Sequence, residues 1–397
     1  MEPDLAYLVE IGRGLIASAP SDFSRSALRE LQPDDRLQVV LGPRGVGKTT
    51  LLLQFGRARE SPVAYLSLDD LYFAANSLVD AVRQLREAGT YSILLDEVHL
   101  YPGWSRELKN VYDRYPDVCL VVTGSSALDL FGGQADLSRR AAVVTLGGLS
   151  FREWLSLSRG FTYDAIPWDT LRTDHADLAR AVLAEVRTPL ALFEAYLTEG
   201  AYPFAESNRA RFLDRIRRTI DLVLERDIPA VADLRPQTVR RMKRFLALIA
   251  EEAPFKPNVH KLAGTLETSR DTIYALLDLL ERAQVIKTLP PGGRSDAKLA
   301  RPDKIYLGNA TLAHALHPAP NVGTLRETFF AASWPVGTAL TLPSDGDFAM
   351  GEDTFEVGGR GKSFSQVADQ PRSYLAVDGL EVGHDSRIPL FLFGFLR

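Results

Sequence analysis

The run Gly42-Pro43-Arg44-Gly45-Val46-Gly47-Lys48-Thr49 decides the reading of this chain. It has glycine, four residues, glycine, lysine and threonine in order, and its neighbours suit that pattern. Residues 37–42, Leu-Gln-Val-Val-Leu-Gly, read as a short buried strand ending in glycine, and a helix is expected over residues 47–54. A glycine-rich loop between strand and helix is an anion site. The glycines let backbone N–H groups curl into a nest, and the helix N-terminus adds its partial positive charge. The fit is to a polyphosphate, held by Gly42, Pro43, Arg44, Gly45, Val46, Gly47, Lys48, Thr49 and Thr50. Lys48 is expected at the β- and γ-phosphates, and the Thr49 hydroxyl on Mg2+.

The next elements outward complete a nucleotide-hydrolysing set. Ile93-Leu94-Leu95-Asp96-Glu97 is an apolar strand ending in two carboxylates. Asp96 is expected to hold the Mg2+ shell through water, and Glu97 to orient and polarise the attacking water. GTPases and nucleoside kinases usually lack the adjacent glutamate, so the pair points to ATP. Val122-Thr123-Gly124-Ser125-Ser126 ends a further strand. Its polar residues belong beside the γ-phosphate, with Ser125 as a sensor; a plain turn with a helix cap at Ser125 or Ser126 reads equally well. In Leu137-Ser138-Arg139-Arg140, an arginine is either a finger acting on a neighbouring subunit's nucleotide or a solvated basic helix end.

Strands at 62–68, 92–95, 118–122 and 142–146, alternating with helices such as 77–87, imply a parallel sheet covered on both faces. This α/β domain takes residues 1–150. A helical connector follows over 151–235, broken near 162–167 and Pro189, with a proline-containing link over 229–236. Residues 236–318 carry two helices, 259–266 and 271–283, then two strands, 285–289 and 304–307: a helix-turn-helix with a wing. Residues 319–397 read as a small α+β domain. It has a helix from about 323, strands at 340–342, 347–350, 354–357 and 374–377, a helix at 365–369 and a closing apolar run at 388–394.

These residues bring a family into view. The chain resembles the prokaryotic AAA-type ATPases that carry a winged helix and a C-terminal domain of unknown function with a restriction-endonuclease-like fold. The matching pieces are residues 42–50, Leu94-Leu95-Asp96-Glu97-Val98-His99, Thr123-Gly124-Ser125-Ser126 and Leu149-Ser150-Phe151-Arg152-Glu153-Trp154. Gly-Ala-Tyr-Pro at 200–203 and Ile388-Pro389-Leu390-Phe391-Leu392-Phe393-Gly394 also fit. The resemblance implies ATP binding and hydrolysis in a homo-oligomeric assembly. The family has Gly-Arg where Arg139-Arg140 stands, which makes Arg140 the aligned finger. It has Gln where His99 stands, and His99 reads either as a nucleotide contact or as a structural side chain.

The resemblance also implies a nuclease-like site: a carboxylate on the first helix, an aspartate on one strand and Glu-x-Lys on the next. Here these map to Glu327, Asp347 and Glu356, but Glu356-Val357-Gly358 has glycine where the lysine should stand. Without an ammonium beside the scissile phosphate, transition-state charge is poorly met. Lys362 or Arg360, from the loop Gly358-Gly359-Arg360-Gly361, is the candidate to swing in; otherwise the site is degenerate.

Composition narrows the classes. Of 397 residues, 46% are hydrophobic and 24% charged, which excludes a disordered, collagenous or membrane-spanning chain. The longest apolar run, 388–396, is too short for a bilayer, which needs about 20 residues. The acidic start Met1-Glu2-Pro3-Asp4 is unlike a secretory signal, and the single Cys119 makes no internal disulfide, so a cytoplasmic protein is expected. The net charge of −5 gives no whole-chain case for nucleic acid. Its distribution gives one, because residues 208–245 hold eleven Lys or Arg against five Asp or Glu. DNA is therefore expected on Arg215, Arg217, Arg218, Arg240, Arg241, Lys243 and Arg244, and on the wing residues Lys287, Arg294, Lys298 and Arg301. Against this, the second helix of the helix-turn-helix carries Arg270, Asp271, Asp278, Glu281 and Arg282, which nearly cancel. Three readings stay open: an ATPase working on DNA, a nucleotide-dependent switch that binds a partner, and an ATP-regulated nuclease.

Overall fold

The apolar runs read from the sequence become one five-stranded sheet: β1 (Leu37–Gly42), β2 (Val63–Ser67), β3 (Ser92–Asp96), β4 (Cys119–Ser125) and β5 (Ala142–Thr145). Their order is β2-β3-β4-β1-β5, and every pairing is parallel. All residues of β1 and β3 are buried, as a strand covered on both faces requires. The computed structural model describes residues 4–125, 137, 139–204, 208–232, 234–292, 302–362 and 372–397. Its backbone divides into two units, Met1–Gly147 with Leu222–Leu234, and Gly148–Asp221 with Arg235–Arg397.

In the first unit the sheet is covered by α1 (Leu5–Ala17), α2 (Lys48–Arg57), α3 (Leu78–Glu87) and α4 (Trp104–Arg114). Ser77 caps α3 by accepting from the Asp80 N–H. Two of these helices, α1 and α4, have no clear sequence signal. In α4 only Ser105, Leu108 and Val111 are buried among charged residues, too thin a stripe to read. In α1 the helix rides so close to β2 that a side chain at Gly12 would meet the Tyr65 carbonyl oxygen at 2.5 Å. The strand register matters most. Gly42 lies level with Ser125, and β4 separates β1 from β3. The C-terminal ends of three neighbouring strands thus share one edge, where open α/β sheets bind ligands.

The chain returns to this unit at Leu222–Leu234, a stretch the sequence reading put at the end of the connector 151–235. It is a π turn, Val223–Asp227, followed by a short helix, Ile228–Val231. The expected break at Pro229 does not occur there. Proline lacks an N–H and its ring crowds the carbonyl four residues back, which in a regular helix breaks the ladder. The widened turn absorbs this, with the Ile228 N–H bonded to the Val223 carbonyl. Val223, Leu224 and Ile228 are buried, and Val231 packs against the sheet core.

The second unit begins with α5 (Phe151–Arg159), capped by a reciprocal Ser150–Glu153 box, then α6 (Trp168–Glu185), α7 (Pro189–Glu199) and α8 (Arg209–Leu222), whose last residue belongs to the returning segment. It continues with α9 (Pro236–Glu252), α10 (Val259–Thr265) and α11 (Arg270–Arg282). Ser269 caps α11, and Ile273, Leu276, Leu277 and Leu280 face its core. β6 (Ile286–Leu289) and β7 (Lys304–Leu307) form an antiparallel ribbon. After α12 (Ala310–Leu316) and α13 (Val322–Ser333) comes a mixed sheet of β8 (Phe348–Met350), β9 (Asp353–Gly359), β10 (Ser373–Asp378) and β11 (Arg387–Pro389). The run expected as a strand at 340–342 makes only isolated bridges, at Thr341 and Leu342. The helix expected at 365–369 lies outside the described residues. The closing apolar run continues from β11 into a buried 3-10 turn, Leu390–Phe395, with Phe393 among Trp168, Phe330, Trp334 and Phe355.

Candidate functional site

The phosphate loop has the backbone its sequence requires. Gly45 (φ 85°) and Gly47 (φ 99°) take left-handed conformations closed to most residues. At Gly42 the need is for space: a Cβ would sit 2.4 Å from the Leu146 carbonyl oxygen. The buried Arg25 braces the loop from below, donating to the Val46 and Gly147 carbonyls at 2.9 Å each. The Lys48 ammonium donates to the Gly42 (2.9 Å) and Pro43 (3.2 Å) carbonyls. Burial lowers its pKa, with Glu97 and Asp96 opposing the shift. Thr50 is exposed one residue beyond Thr49 on α2.

The expected metal-holding pair is joined directly. Thr49 Oγ1 donates to Asp96 Oδ2 at 2.7 Å, and the same oxygen accepts the Tyr65 hydroxyl at 2.9 Å. Burial and the Asp96 charge raise the Tyr65 pKa, so this phenol stays a donor. Thr123, fully buried on β4, donates to Asp96 Oδ1 and accepts the Glu97 N–H at 3.0 Å. Thr123 is thus a polar β4 residue in the site, two positions before Ser125. Glu97 itself is held at φ 55°, a conformation rare for a residue with a side chain. Two oxygen ligands beside a buried ammonium, a glycine nest and a helix N-terminus suit a Mg2+-bound polyphosphate.

Sequence reading missed one residue of this site. Asp227, from the returning segment, is 2% exposed and accepts two hydrogen bonds from the Arg44 guanidinium, from Nε at 3.1 Å and Nη2 at 2.8 Å. Burial would raise its carboxyl, but His99 and Arg44 hold it down at about 2. His99 is 5% exposed, with Nε2 3.9 Å from Asp227 Oδ1 and Nδ1 3.4 Å from Glu97 Oε2. Its Nδ1 also accepts the Ser125 N–H at 3.3 Å. Arg44 therefore turns to a carboxylate 183 positions away. A lone aspartate in a helix gives no sequence signal of such a role.

Other expected residues are placed as follows. Arg140 lies 3.3 Å from Asp113 of the same unit and over the Tyr112 ring. Ser126 and Ser138 fall outside the described residues, as do Arg294, Lys298 and Arg301 of the wing. Lys287 faces inward: its ammonium donates to the Ala331 carbonyl at 2.8 Å, and burial, aided by Arg397, pulls its pKa down to about 8. This corrects its assignment to a nucleic-acid contact. Much of the basic stretch is also engaged within the second unit. Arg241 donates to the Leu266 and Glu267 carbonyls, Arg244 to Thr265 and Arg217 to Ala315. Lys243 pairs with Asp221, Arg218 with Asp214, and Arg215 lies over the Phe204 ring.

The nuclease-like residues do gather. The Lys362 ammonium lies 3.2 Å from Glu356 Oε1 and 3.6 Å from Asp347 Oδ2. Lys304 lies 3.5 Å from Glu327 and 3.7 Å from Asp347, and the Tyr306 hydroxyl donates to Glu327 at 2.7 Å. Burial and Asp347 raise the Glu327 pKa. Gly358 explains how Lys362 enters: a Cβ there would collide with the Lys362 stem at 2.6–2.8 Å. The missing lysine is thus replaced in space from four positions on. Among the described residues, however, no three His, Cys, Asp or Glu side chains cluster so as to hold a metal ion.

Comparison with known proteins agrees with the first unit's geometry. Residues 34–155 match the family model of an AAA domain, and residues 190–322 that of a domain of unknown function, DUF8612. An uncharacterized protein of Methanocaldococcus jannaschii is 29% identical over 301 residues, covering 72% of this chain and 63% of that protein. The chain thus spans less than two thirds of that relative's length. A signal transduction ATPase with numerous domains and a tetratricopeptide repeat sensor, from Pyrococcus horikoshii, aligns at 14% identity and TM-score 0.29, over 79% of this chain and 45% of that one. A form of Thermotoga maritima RuvB aligns at 15% identity and TM-score 0.30, over 72% of this chain and 92% of that one. The stretch that matches the AAA-domain model carries the phosphate loop, Asp96, Glu97 and Thr123 of the first unit. No helix among the described residues is long and apolar enough to cross a membrane.

Proposed function

We propose that the chain binds Mg2+–ATP at the phosphate loop and hydrolyses it, and that the cycle drives binding or remodelling of DNA by the second unit in a homo-oligomer. The observation that carries the hydrolytic reading is the Thr49–Asp96–Thr123–Glu97 network, which fixes the Asp96 carboxylate and the Glu97 backbone at the sheet edge. ATP would bring the scissile phosphate, and Mg2+, when bound, would offset its developing charge. The protein's part is positional. Lys48 would leave the loop carbonyls to meet phosphate oxygens, Thr49 and Asp96 would hold the metal's shell, and Glu97 would accept the proton of the attacking water or orient it. Arg140 serves as the finger toward a neighbouring copy. The DNA part rests on the α10–α11 helix pair with its β6–β7 ribbon, read as a winged helix.

A second reading, a nucleotide-dependent switch that engages a protein, gains support from the pairing of the basic side chains. Arg282 is tied to Asp278, and Glu281 binds the Thr288 hydroxyl and N–H, so α11 offers little net charge to a phosphate-lined groove. Cleavage by the Glu327–Asp347–Glu356 cluster gains Lys362 as its ammonium, but among the described residues no metal-holding group of carboxylates supports it.

Phosphate release measured with no DNA and with single-stranded, duplex and forked DNA separates these readings. Turnover lost in Lys48→Ala and Glu97→Gln and raised by DNA is the expected result. Slow turnover with no DNA binding supports the switch. Turnover that survives both substitutions overturns the assignment of the site.

A further inference from the structure

The three carboxylates expected of a nuclease-like site are strung together by lysines. Glu327 on α13, Asp347 just before β8 and Glu356 on β9 come from separate elements of the second unit. The Lys304 ammonium lies 3.5 Å from Glu327 Oε2 and 3.7 Å from Asp347 Oδ1. The Lys362 ammonium lies 3.6 Å from the other Asp347 oxygen and 3.2 Å from Glu356 Oε1. The charges therefore alternate in sign from Glu327 through Lys304, Asp347 and Lys362 to Glu356. A bridging metal ion would need the same oxygens and would meet two ammonium groups already between them. Mg2+ or Mn2+ takes about six oxygen ligands. Glu356 Oε2 is a buried oxygen with no hydrogen-bond partner among the described residues, and one such atom is no cage. The residues present do not fit a metal.

Lys304 decides what the cluster does instead. The Lys362 side chain is 34% exposed and sits at the rim, whereas that of Lys304 is 13% exposed and enters from β7 of the ribbon. Lys304 and Tyr306, two apart on β7, face the same side, and Lys287, directly opposite Tyr306 on β6, shares that face. All three reach α13. Lys304 and the Tyr306 hydroxyl meet Glu327 Oε2, and Lys287 donates to the Ala331 carbonyl one helical turn on. The buried Tyr306 ring lies 5.5 Å from that of Phe348, the neighbour of Asp347. Past β6, the Gly292 N–H donates to the Leu342 carbonyl and the Leu342 N–H to the Pro290 carbonyl, both at 2.7 Å. We propose that the Glu327–Asp347–Glu356 cluster is an ion-pair clasp, with Lys304 and Lys362 in the metal's place, that fixes the β6–β7 ribbon to α13 and the C-terminal sheet. The base of the ribbon is then a fixed part of the second unit, not an arm that swings into a groove. Taking away one cation leaves carboxylates short of charge in a poorly solvated site, which costs more than the intact pair contributes. None of this depends on how the first unit handles nucleotide.

The test uses the full chain carrying Asp96→Asn, which removes the expected metal ligand of the first unit. Calorimetry with MnCl2, Tm in Mn2+ or EDTA, and hydrogen exchange of the ribbon amides are the readouts. The expected result is no Mn2+ binding, with Tm in Mn2+ and in EDTA agreeing within about 1 °C. Lys304→Met should lower the second unit's Tm by about 5 °C or more and speed exchange over residues 286–289 and 304–307 by about tenfold. Adding Glu327→Gln to Lys304→Met should return part of that Tm, because it neutralises a carboxylate left without its cation. Binding of about one Mn2+ per chain that is lost in Asp347→Asn or Glu356→Gln overturns the proposal. Mn2+-dependent nicking of plasmid DNA that is lost in either variant does the same. Lys304→Met with unchanged Tm and unchanged ribbon exchange also overturns it. If Lys304→Met does not fold, Tyr306→Phe decides: ribbon exchange at the parental rate overturns the clasp, and faster exchange supports it.

Discussion

Replacing Thr123 with valine keeps the shape of a fully buried side chain and removes only its hydroxyl. That hydroxyl donates to Asp96 Oδ1 and accepts the Glu97 N–H at 3.0 Å. A hydrogen bond to a charged group contributes about 1.5–3 kcal/mol, and leaving a buried N–H unpaired costs about 1–3 kcal/mol. The two losses share one atom, so about 2–4 kcal/mol is expected in total. For a domain of this size each kcal/mol moves Tm by about 2–4 °C, so the first unit's transition should fall by roughly 5–15 °C. Activity should fall further than stability alone predicts. The Thr123 bond is one of the restraints holding Glu97 at φ 55°, and a shift of about 1 Å in a catalytic group costs on the order of a hundredfold. Thr123→Ser, which keeps the hydroxyl, should retain most of both properties. Calorimetric unfolding and steady-state phosphate release read the two effects. A Thr123→Val protein that melts within 2 °C of wild type (about 0.5 kcal/mol) and turns over at the parental rate would refute the argument.

Other expectations concern charge and packing. Asp227 titrates at about 2 in the fold against an ordinary 3.8, so its contribution, on the order of 2 kcal/mol, is complete above about pH 4 and lost as pH falls toward 2. Acid unfolding of the first unit should begin at higher pH in wild type than in a variant whose stability rests elsewhere, and Asp227→Asn should flatten that slope. Lys287, lowered to about 8 from 10.5, does the reverse: the unfolded chain holds more protons between those values, so the second unit should gain stability as pH rises from about 8 to 10.5. Denaturant titrations across that range should lose the slope in Lys287→Met. Gly358→Ala would set a methyl 2.7 Å from Lys362 Cβ, which no side-chain rotation relieves, and should cost about 1–3 kcal/mol. Lys362→Gly, which removes that Cβ, should remove most of the extra cost, a non-additivity visible in a double-mutant cycle.

Local signals carried the first unit. A strand–loop–helix with two glycines and Lys48-Thr49 admits few folds, and Asp96-Glu97 ends its strand where the sheet edge needs it. The expected strands formed with ends shifted by at most three residues, because buried runs are visible and their last hydrogen bonds are not. The connector was harder. Pro229 reads as a break, but a widened turn carries the helix past it, and only tertiary packing of Leu224 and Ile228 favours that outcome. Basic residues were hard to place for a related reason. An arginine that donates to a carbonyl 98 positions away, as Arg217 does to Ala315, looks in sequence like any solvated arginine.

Two charge pairs share one physical cause. Gly358 stands where a lysine was wanted, and Lys362, a candidate to swing in, lies beside Glu356; Arg44, expected at the phosphates, bonds Asp227. In each case the sequence displays one half of a charge pair, and the missing half arrives through the fold. Burial makes this outcome strict. An ion removed from water must find its counter-charge within a few ångströms, whatever the sequence distance. Glu356 at 1% exposure therefore demanded an ammonium, and the space left by Gly358 named the neighbour able to supply it. The same reasoning could not have found Asp227. Arg44 is only half-buried and needs no partner, so it was the aspartate that required the arginine, and nothing in Leu-Glu-Arg-Asp-Ile-Pro betrays that its fourth residue is the buried one.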